Sequence, residues 1–327
     1  MKGFRTLLLA VVFSSVACER PDQKSNDSLV TPSDSMGRAP TAVRTIPIRG
    51  QADLTESSAA TMSAAQPAVW FTINDSGHEP VLFAVDTNGA ARGRWLVSGA
   101  RNIDWESMAS GPCGADAAAQ AADRCLYVGD TGDNDAKYAT RAIYRLHEPA
   151  NASDGAPSTA LGSASSTRLS FRYVDGPRDV EAMYVAPDAS IYLITKSVGL
   201  GGQPLRPAAV YRLAPEAWKS RGTQQAEIVD SLPIVLGSAF ARFITDAALS
   251  SDAKHLAVRT YMQVYVFATD STTGRIRADV QPATCDIAGL QEAQGEGIAW
   301  VGTSGRFLLT SEGRGGPFRI ANCPMPQ

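Results

Sequence analysis

This chain of 327 residues is poor in the features that usually announce a function. It holds three histidines, no C-x-x-C spacing, and neither an H-E-x-x-H nor a G-x-S-x-G motif. Those absences argue against a zinc–thiolate site, a zincin and an α/β-hydrolase elbow. Thirty basic residues stand against 33 acidic ones, and no basic run occurs, so nucleic acid is not a favoured partner. After the first 20 residues no stretch is long and apolar enough for a transmembrane helix. Helical periodicity is equally scarce: only 115–123 and 214–220 read as helical, and both are short.

What is present begins at the N-terminus. Lys2 and Arg5 form a positive n-region, Leu7 to Phe13 a short apolar h-region, and small residues lead to Cys18. This pattern reads as an export leader over 1–17. Ser15-Val16-Ala17-Cys18 resembles a bacterial lipobox, with Ser15 where Leu is usual, so Cys18 is expected to be acylated. An ordinary secretory cleavage giving a soluble product is the plainer alternative. Residues 18–41, rich in Ser, Pro, Asp and Asn, read as a flexible tether, leaving 42–327 as one folded domain. The expected location is the bacterial cell envelope, with the protein a monomer held by its lipid anchor.

Four further cysteines remain. Cys113 and Cys125 flank an Ala-rich insertion between two strand-like runs, at the mouth of what would be a hairpin, close enough to bridge. Cys285 and Cys323 are left as the second pair. An even count in an exported chain favours disulfides.

The strongest signal is repetition. E-S-S-A-A-T-M (56–62), E-S-M-A-S (106–110), E-A-M-Y-V (181–185), D-A-A-L-S (246–250) and E-G-I-A-W (296–300) each place a carboxylate before a strand-like run. Glu56, Glu106, Glu181, Asp246 and Glu296 are separated by 50, 75, 65 and 50 residues, the period of an array of supersecondary units. Each unit divides into about four strands. The second reads as 104–110, 125–130, 141–147 and 167–173, and the fourth as 245–250, 255–260, 263–268 and 276–281. The last has only 295–300, 306–311 and 317–321, while 42–48 offers a spare strand. The expected fold is therefore an all-β propeller of five four-stranded blades, closed by the N-terminal strand. A sixth blade would have to lie within 110–180 or 185–245, and two sandwich domains are the other alternative.

The first strand begins, and the second ends, at the same end of a blade. One face should therefore gather the five lead carboxylates with Asn74, Asp75, Asp130, Asp133, Asn134, Lys196, Arg259 and Glu312. Carboxylates this close need compensation. An all-oxygen set favours Ca²⁺ or Mg²⁺ over zinc, with Glu106, Glu181, Glu296, Asp75 and Asp130 as the ligand candidates and Ca²⁺ first. Glu181, Lys196, Arg259 and His78 are the catalytic candidates: Lys196 and Arg259 break the acidic pattern, and His78 is the one histidine placed to act as a base. Two other readings remain open. First-strand carboxylates can bond backbone N–H groups of the next blade and lock blades together, and Asp133 and Asn134 suit turn chemistry.

N-D-S-G (74–77), D-W-E (104–106), G-D-T-G-D-N (129–134), D-V-E-A (179–182) and G-E-G-I-A-W (295–300) resemble an exported bacterial β-propeller family that carries N-D-S-G, D-W-E-D and G-D-I-G-D-N motifs. The resemblance covers about 55–321 and implies the fold, hardly an activity. More remotely, E-G-I-A-W is similar to first-strand motifs of esterase-like phytase and gluconolactonase/paraoxonase propellers, which implies a face-bound divalent cation polarising a lactone or phosphoester. Two functions follow as expectations: a cation-dependent hydrolase of an ester, lactone or phosphoester, and a non-enzymatic propeller binding a small-molecule or envelope ligand, or a protein, at the cell envelope.

Overall fold

A computed structural model describes residues 37–66, 68–114, 123–149, 158–196, 207–232, 234, 243–314 and 316–327. The leader, Cys18 and the tether up to 36 lie outside the described residues, as does most of the predicted helix at 115–123. Two short 3-10 turns, Pro215–Trp218 and Ala288–Leu290, are the helical elements among the described residues.

The strands follow the predicted units closely. The first unit is β2 (Ser57–Met62), β3 (Val69–Asn74), β4 (Val81–Asp86) and β5 (Ala91–Ser98), each antiparallel to the next. The second is β6 (Trp105–Pro112), β7 (Arg124–Asp130), β8 (Arg141–His147) and β10 (Thr167–Tyr173). The third is β11 (Val180–Val185), β12 (Ile191–Thr195), β13 (Ala209–Leu213) and β14 (Gln224–Ser231). The fourth is β15 (Ile244–Leu249), β16 (His255–Thr260), β17 (Gln263–Ala268) and β18 (Ala283–Asp286). The last is β19 (Gly295–Trp300), β20 (Arg306–Ser311) and β21 (Phe318–Asn322), completed by β1 (Val43–Ile46), which pairs Val43 with Ala321 and Ile46 with Phe318. The first strands touch in a closed cycle, β2 to β6, β11, β15, β19 and back to β2. The protein is an all-β propeller.

Apolar side chains fill the wedge between each neighbouring pair of units. Phe71 and Trp95 meet Trp105 and Leu126; Tyr127 and Phe171 meet Met183 and Tyr211; Tyr192 meets Leu256 and Phe267. Val264 meets Trp300 and Phe307, and Leu308 and Phe318 return to Trp70 and Phe83. This is why β3, β4, β11, β12 and β19 are buried at every residue: both faces of each sheet are covered, so alternation of polar and apolar residues disappears.

Two details depart from the sequence expectation. The fourth unit ends on Ala283–Asp286, not on 276–281; the latter segment is a turn with one bridge, Thr269 to Ile276. The Cys285–Cys323 disulfide holds β18 to the segment after β21. Also, the connection from β8 to β10 carries an additional strand, β9 (Leu161–Ser165), which pairs in parallel with β5 of the first unit. β10 pairs in parallel with β14, so the second and third units share an eight-stranded sheet. The Cys113–Cys125 disulfide closes the β6–β7 hairpin as expected.

Candidate functional site

Each first strand carries an extra residue opposite its partner, and these bulges define the inner ring. The register skips between Ser57 and Ala59, Trp105 and Ser107, Val180 and Ala182, Ile244 and Asp246, and Gly295 and Ile298. Aligned on the bulge, the equivalent residues are Ser58, Glu106, Glu181, Thr245 and Glu296. Three are carboxylates and two are hydroxyls. The hydroxyls lock units together: Ser58 Oγ donates to the Trp105 carbonyl and Thr245 Oγ1 to the Glu296 carbonyl, both at 2.8 Å. Bulges re-aim side chains, and here they turn the three glutamates to one end of the inner strands.

The two remaining lead carboxylates are out of step. Asp246 lies one residue beyond its bulge, is fully buried, and accepts N–H bonds from Ala247 and Ile298 at 2.8 Å and from Ala60 at 3.3 Å. It ties β15 to β19 and β2. Glu56 lies two residues before its bulge, half-exposed, beside His78. Arg259 is fully buried and donates to the carbonyls of Gly297 and Thr310 at 2.7 Å, and pairs with Glu292. Its place is under the E-G-I-A-W strand, where Gly295 leaves it room: a Cβ there would stand 2.1 Å from Nη2.

The second-strand ends divide in the same way. Asn74 is a loop latch, accepting from the N–H groups of Thr55 and Glu56 at 3.1 Å and donating to the Asp53 carbonyl at 2.7 Å. Asp130 is buried against Arg141 at 3.2 Å and accepts from the N–H of Asp104 at 2.8 Å, so it positions the D-W-E corner. Asp133 closes its loop by accepting from Lys137 and Tyr138 N–H at 2.9 Å, and Asn134 is exposed.

What converges is a compact acidic mouth. Asp75, Asp104 and Glu106 each bring a carboxylate oxygen within 4.8 Å of the others. Asp104 is not among the residues expected from the repeat, because it precedes the strand whose bulge carries Glu106 and the matching position does not hold a carboxylate in every unit. Burial and the nearby Asp75 push Asp104 up to about 6. Burial, then Glu181, Asp75 and Glu296, hold Glu106 well above the usual carboxylate range. Glu296 is pushed up to about 7 by burial, and its Oε2 is buried without a hydrogen-bond partner among the described residues. Glu312 rises to about 7 through burial, Asp75 and Glu56. Lys196 stands in this group with its Nζ 2.7 Å from Glu181 Oε1. Burial would lower its pKa, but Glu181 and Asp179 outweigh that and raise it, while burial holds Glu181 itself well above the usual carboxylate range despite the lysine beside it. One ammonium therefore faces a clear excess of carboxyl groups.

No protein-family model matches the sequence, and no curated protein matches it. The fold is similar to that of the major Malassezia sympodialis allergen Mala s 1, at 8% identity over 86% of this chain and 96% of that one, with a TM-score of 0.52. It is also similar to Myxococcus xanthus glutaminyl cyclase (13% identity, 87% and 95% covered, TM-score 0.47). A third likeness is to the β-propeller domain of Myceliophteria thermophila Cps50 (9% identity, 86% and 100% covered, TM-score 0.41). At such identities the likeness speaks for the fold alone.

Proposed function

We propose that this protein is an exported five-bladed propeller whose acidic mouth binds a divalent cation, Ca²⁺ first, and serves the hydrolysis of an ester, lactone or phosphoester. The observation that carries the reading is the approach of Asp75, Asp104 and Glu106 to within 4.8 Å, two of them with raised pKa values. Hard oxygen donors alone suit Ca²⁺. These three side chains would hold the ion, with the unpartnered Oε2 of Glu296 the next donor. Bound there, the cation would polarise a carbonyl or phosphoryl oxygen. Glu181 is already matched by Lys196, which keeps a positive group at the mouth for the charge that develops on a substrate oxygen. Support for five blades comes from the closed cycle of five first strands.

Thermal unfolding of the purified protein in CaCl₂, in MgCl₂ and in EDTA tests the cation. Calcium is expected to raise the midpoint, and Asp104→Asn to remove that response. Equal midpoints in calcium and EDTA would refute the reading. A screen of esters, lactones and phosphoesters with and without EDTA then tests turnover. A second reading, a non-enzymatic receptor for a cationic ligand, draws on the same surplus of carboxyl groups over Lys196, and stabilisation without turnover would favour it.

The same proposal places the protein at the cell envelope, with Cys18 acylated, 19–41 a tether, and the 42–327 domain monomeric. The two disulfides, Cys113–Cys125 and Cys285–Cys323, fit an oxidising compartment. No helix among the described residues is long and apolar enough to cross a membrane.

A further inference from the structure

The first unit breaks the glutamate ring with Ser58, and the carboxylate it carries instead, Glu56, serves a histidine. His78 Nδ1 lies 3.3 Å from Glu56 Oε2, 3.3 Å from the Asp75 carbonyl and 3.2 Å from the Ser76 carbonyl. All three neighbours accept hydrogen bonds, so the neutral ring carries its proton on Nδ1 and presents a lone pair at Nε2. Thr55 Oγ1 lies 3.0 Å from Nε2, and its hydroxyl therefore donates to it. A hydroxyl held by an imidazole, which is in turn oriented by a carboxylate, is the arrangement that activates an oxygen nucleophile.

Thr55 is also placed where a substrate would need it. It lines an apolar recess of about 250 Å³ with Ile48, Leu54 and Phe318. On its other side it lines a more polar cleft of about 490 Å³ with Glu56, His78 and Glu312. Arg314 borders both spaces. The threonine backbone is fixed, its N–H bonded to Asn74 Oδ1 at 3.1 Å and its carbonyl to the Gly313 N–H at 2.9 Å.

We propose that Thr55, His78 and Glu56 form a nucleophile, base and orienting carboxylate that hydrolyse esters of short aliphatic acids through an acyl-threonine. The acyl chain occupies the apolar recess, and the alcohol leaves into the acidic cleft. Thr55 Oγ1 attacks the carbonyl carbon while its proton passes to His78 Nε2. The C–O bond to the alcohol breaks, and His78 returns that proton to the departing oxygen. A water, deprotonated by the same Nε2, then attacks the acyl carbon; the acid leaves and Thr55 recovers its proton. Arg314 supplies positive charge beside the carbonyl oxygen. This rests on the hydrolase reading and narrows it to carboxylic esters, but it does not require the cation.

The test is trapping. Full-length protein is mixed with p-nitrophenyl butyrate, quenched in acid and mapped by mass spectrometry, in CaCl₂ and in EDTA. The expected result is one butyryl group on the peptide containing Thr55. Thr55→Ser should still form an adduct at position 55, whereas Thr55→Ala and His78→Gln should lose turnover by about a hundredfold or more, with unchanged thermal midpoints. Absence of an adduct and of hydrolysis, a butyryl group on another residue, or undiminished turnover in folded Thr55→Ala would overturn the proposal. An adduct that persists in EDTA, in a protein whose midpoint ignores calcium, upholds the relay while the cation reading fails. Calcium stabilisation without an adduct does the reverse.

Discussion

Lys196 Nζ stands 2.7 Å from Glu181 Oε1, with side chains 14% and 1% exposed, so one ring glutamate carries its own counter-ion. Removing only the lysine strands a buried carboxylate. Lys196→Met is expected to destabilise the fold by about 3–5 kcal/mol in a denaturant titration, the range for breaking one side of a buried pair. Adding Glu181→Gln should restore most of the loss. A single-variant loss below about 1 kcal/mol would class the pair with exposed ion pairs and contradict its burial.

The mouth should make the protein sensitive to pH in a definite direction. Glu296 and Glu312 sit at about 7 in the folded protein, whereas an unfolded glutamate titrates near about 4.3. The folded state thus holds protons that the unfolded state releases. Stability from this source is fully present below the unfolded value and is lost as pH rises through about 7. In EDTA the thermal midpoint should fall between pH 4.5 and pH 7.5, two bracketing values set by those same pKa values. Calcium should oppose the fall, because a cation binds the ionised carboxylates and displaces protons. A hundredfold excess over its dissociation constant contributes roughly 2.7 kcal/mol. A calcium effect equal at both ends of this window would contradict the proposed linkage.

The two disulfides should differ in accessibility and effect. Cys285 and Cys323 are buried and close a loop of 38 residues, whereas Cys113 is part-exposed and its bridge spans 12. Loop-closure entropy assigns roughly 4 and 3 kcal/mol to them respectively. Mild reduction without denaturant is expected to open Cys113–Cys125 first, as read by alkylation and peptide mapping. Preferential labelling of Cys285 and Cys323 would contradict their burial.

Acylation of Cys18 is expected from the short apolar h-region and the Val-Ala-Cys junction. Wild-type protein expressed in a bacterial host should partition into the detergent phase and Cys18→Ser into the aqueous phase. Equal aqueous partitioning would rule out the anchor.

Much of the fold was legible because each unit writes its strands as short apolar runs between turn residues. C-L-Y-V-G-D and R-A-I-Y-R-L-H became β7 and β8 to within a residue. L-G-S-A-S escaped notice as β9, since Gly and Ser carry little strand propensity and its partner β5 is remote in sequence. The site was legible only in part, for a geometric reason. Aligning the repeats on their first carboxylate matched Glu106, Glu181 and Glu296 correctly but placed Asp246 one residue and Glu56 two residues out of register. A slip of one residue turns a strand side chain to the opposite face, so Asp246 became a backbone lock. Ser58 and Thr245, the true equivalents, carry no charge to mark them. The structural reading of such carboxylates, weighed beside the functional one, describes Asp246, while the three ring glutamates keep the mouth acidic.

Closure by β1 has a consequence for the order of events during synthesis. Val43–Ile46 waits for Phe318–Asn322, so nearly the whole chain must be made before this strand finds its partner. Until then β21 presents an open edge, and the wedge between the first and last units, where Ile46 packs with Phe318 and Trp70, stays unfilled. Such distant pairing folds slowly. Ring closure is therefore set by topology to be among the last events of folding, whatever the order in which the five inner strands assemble.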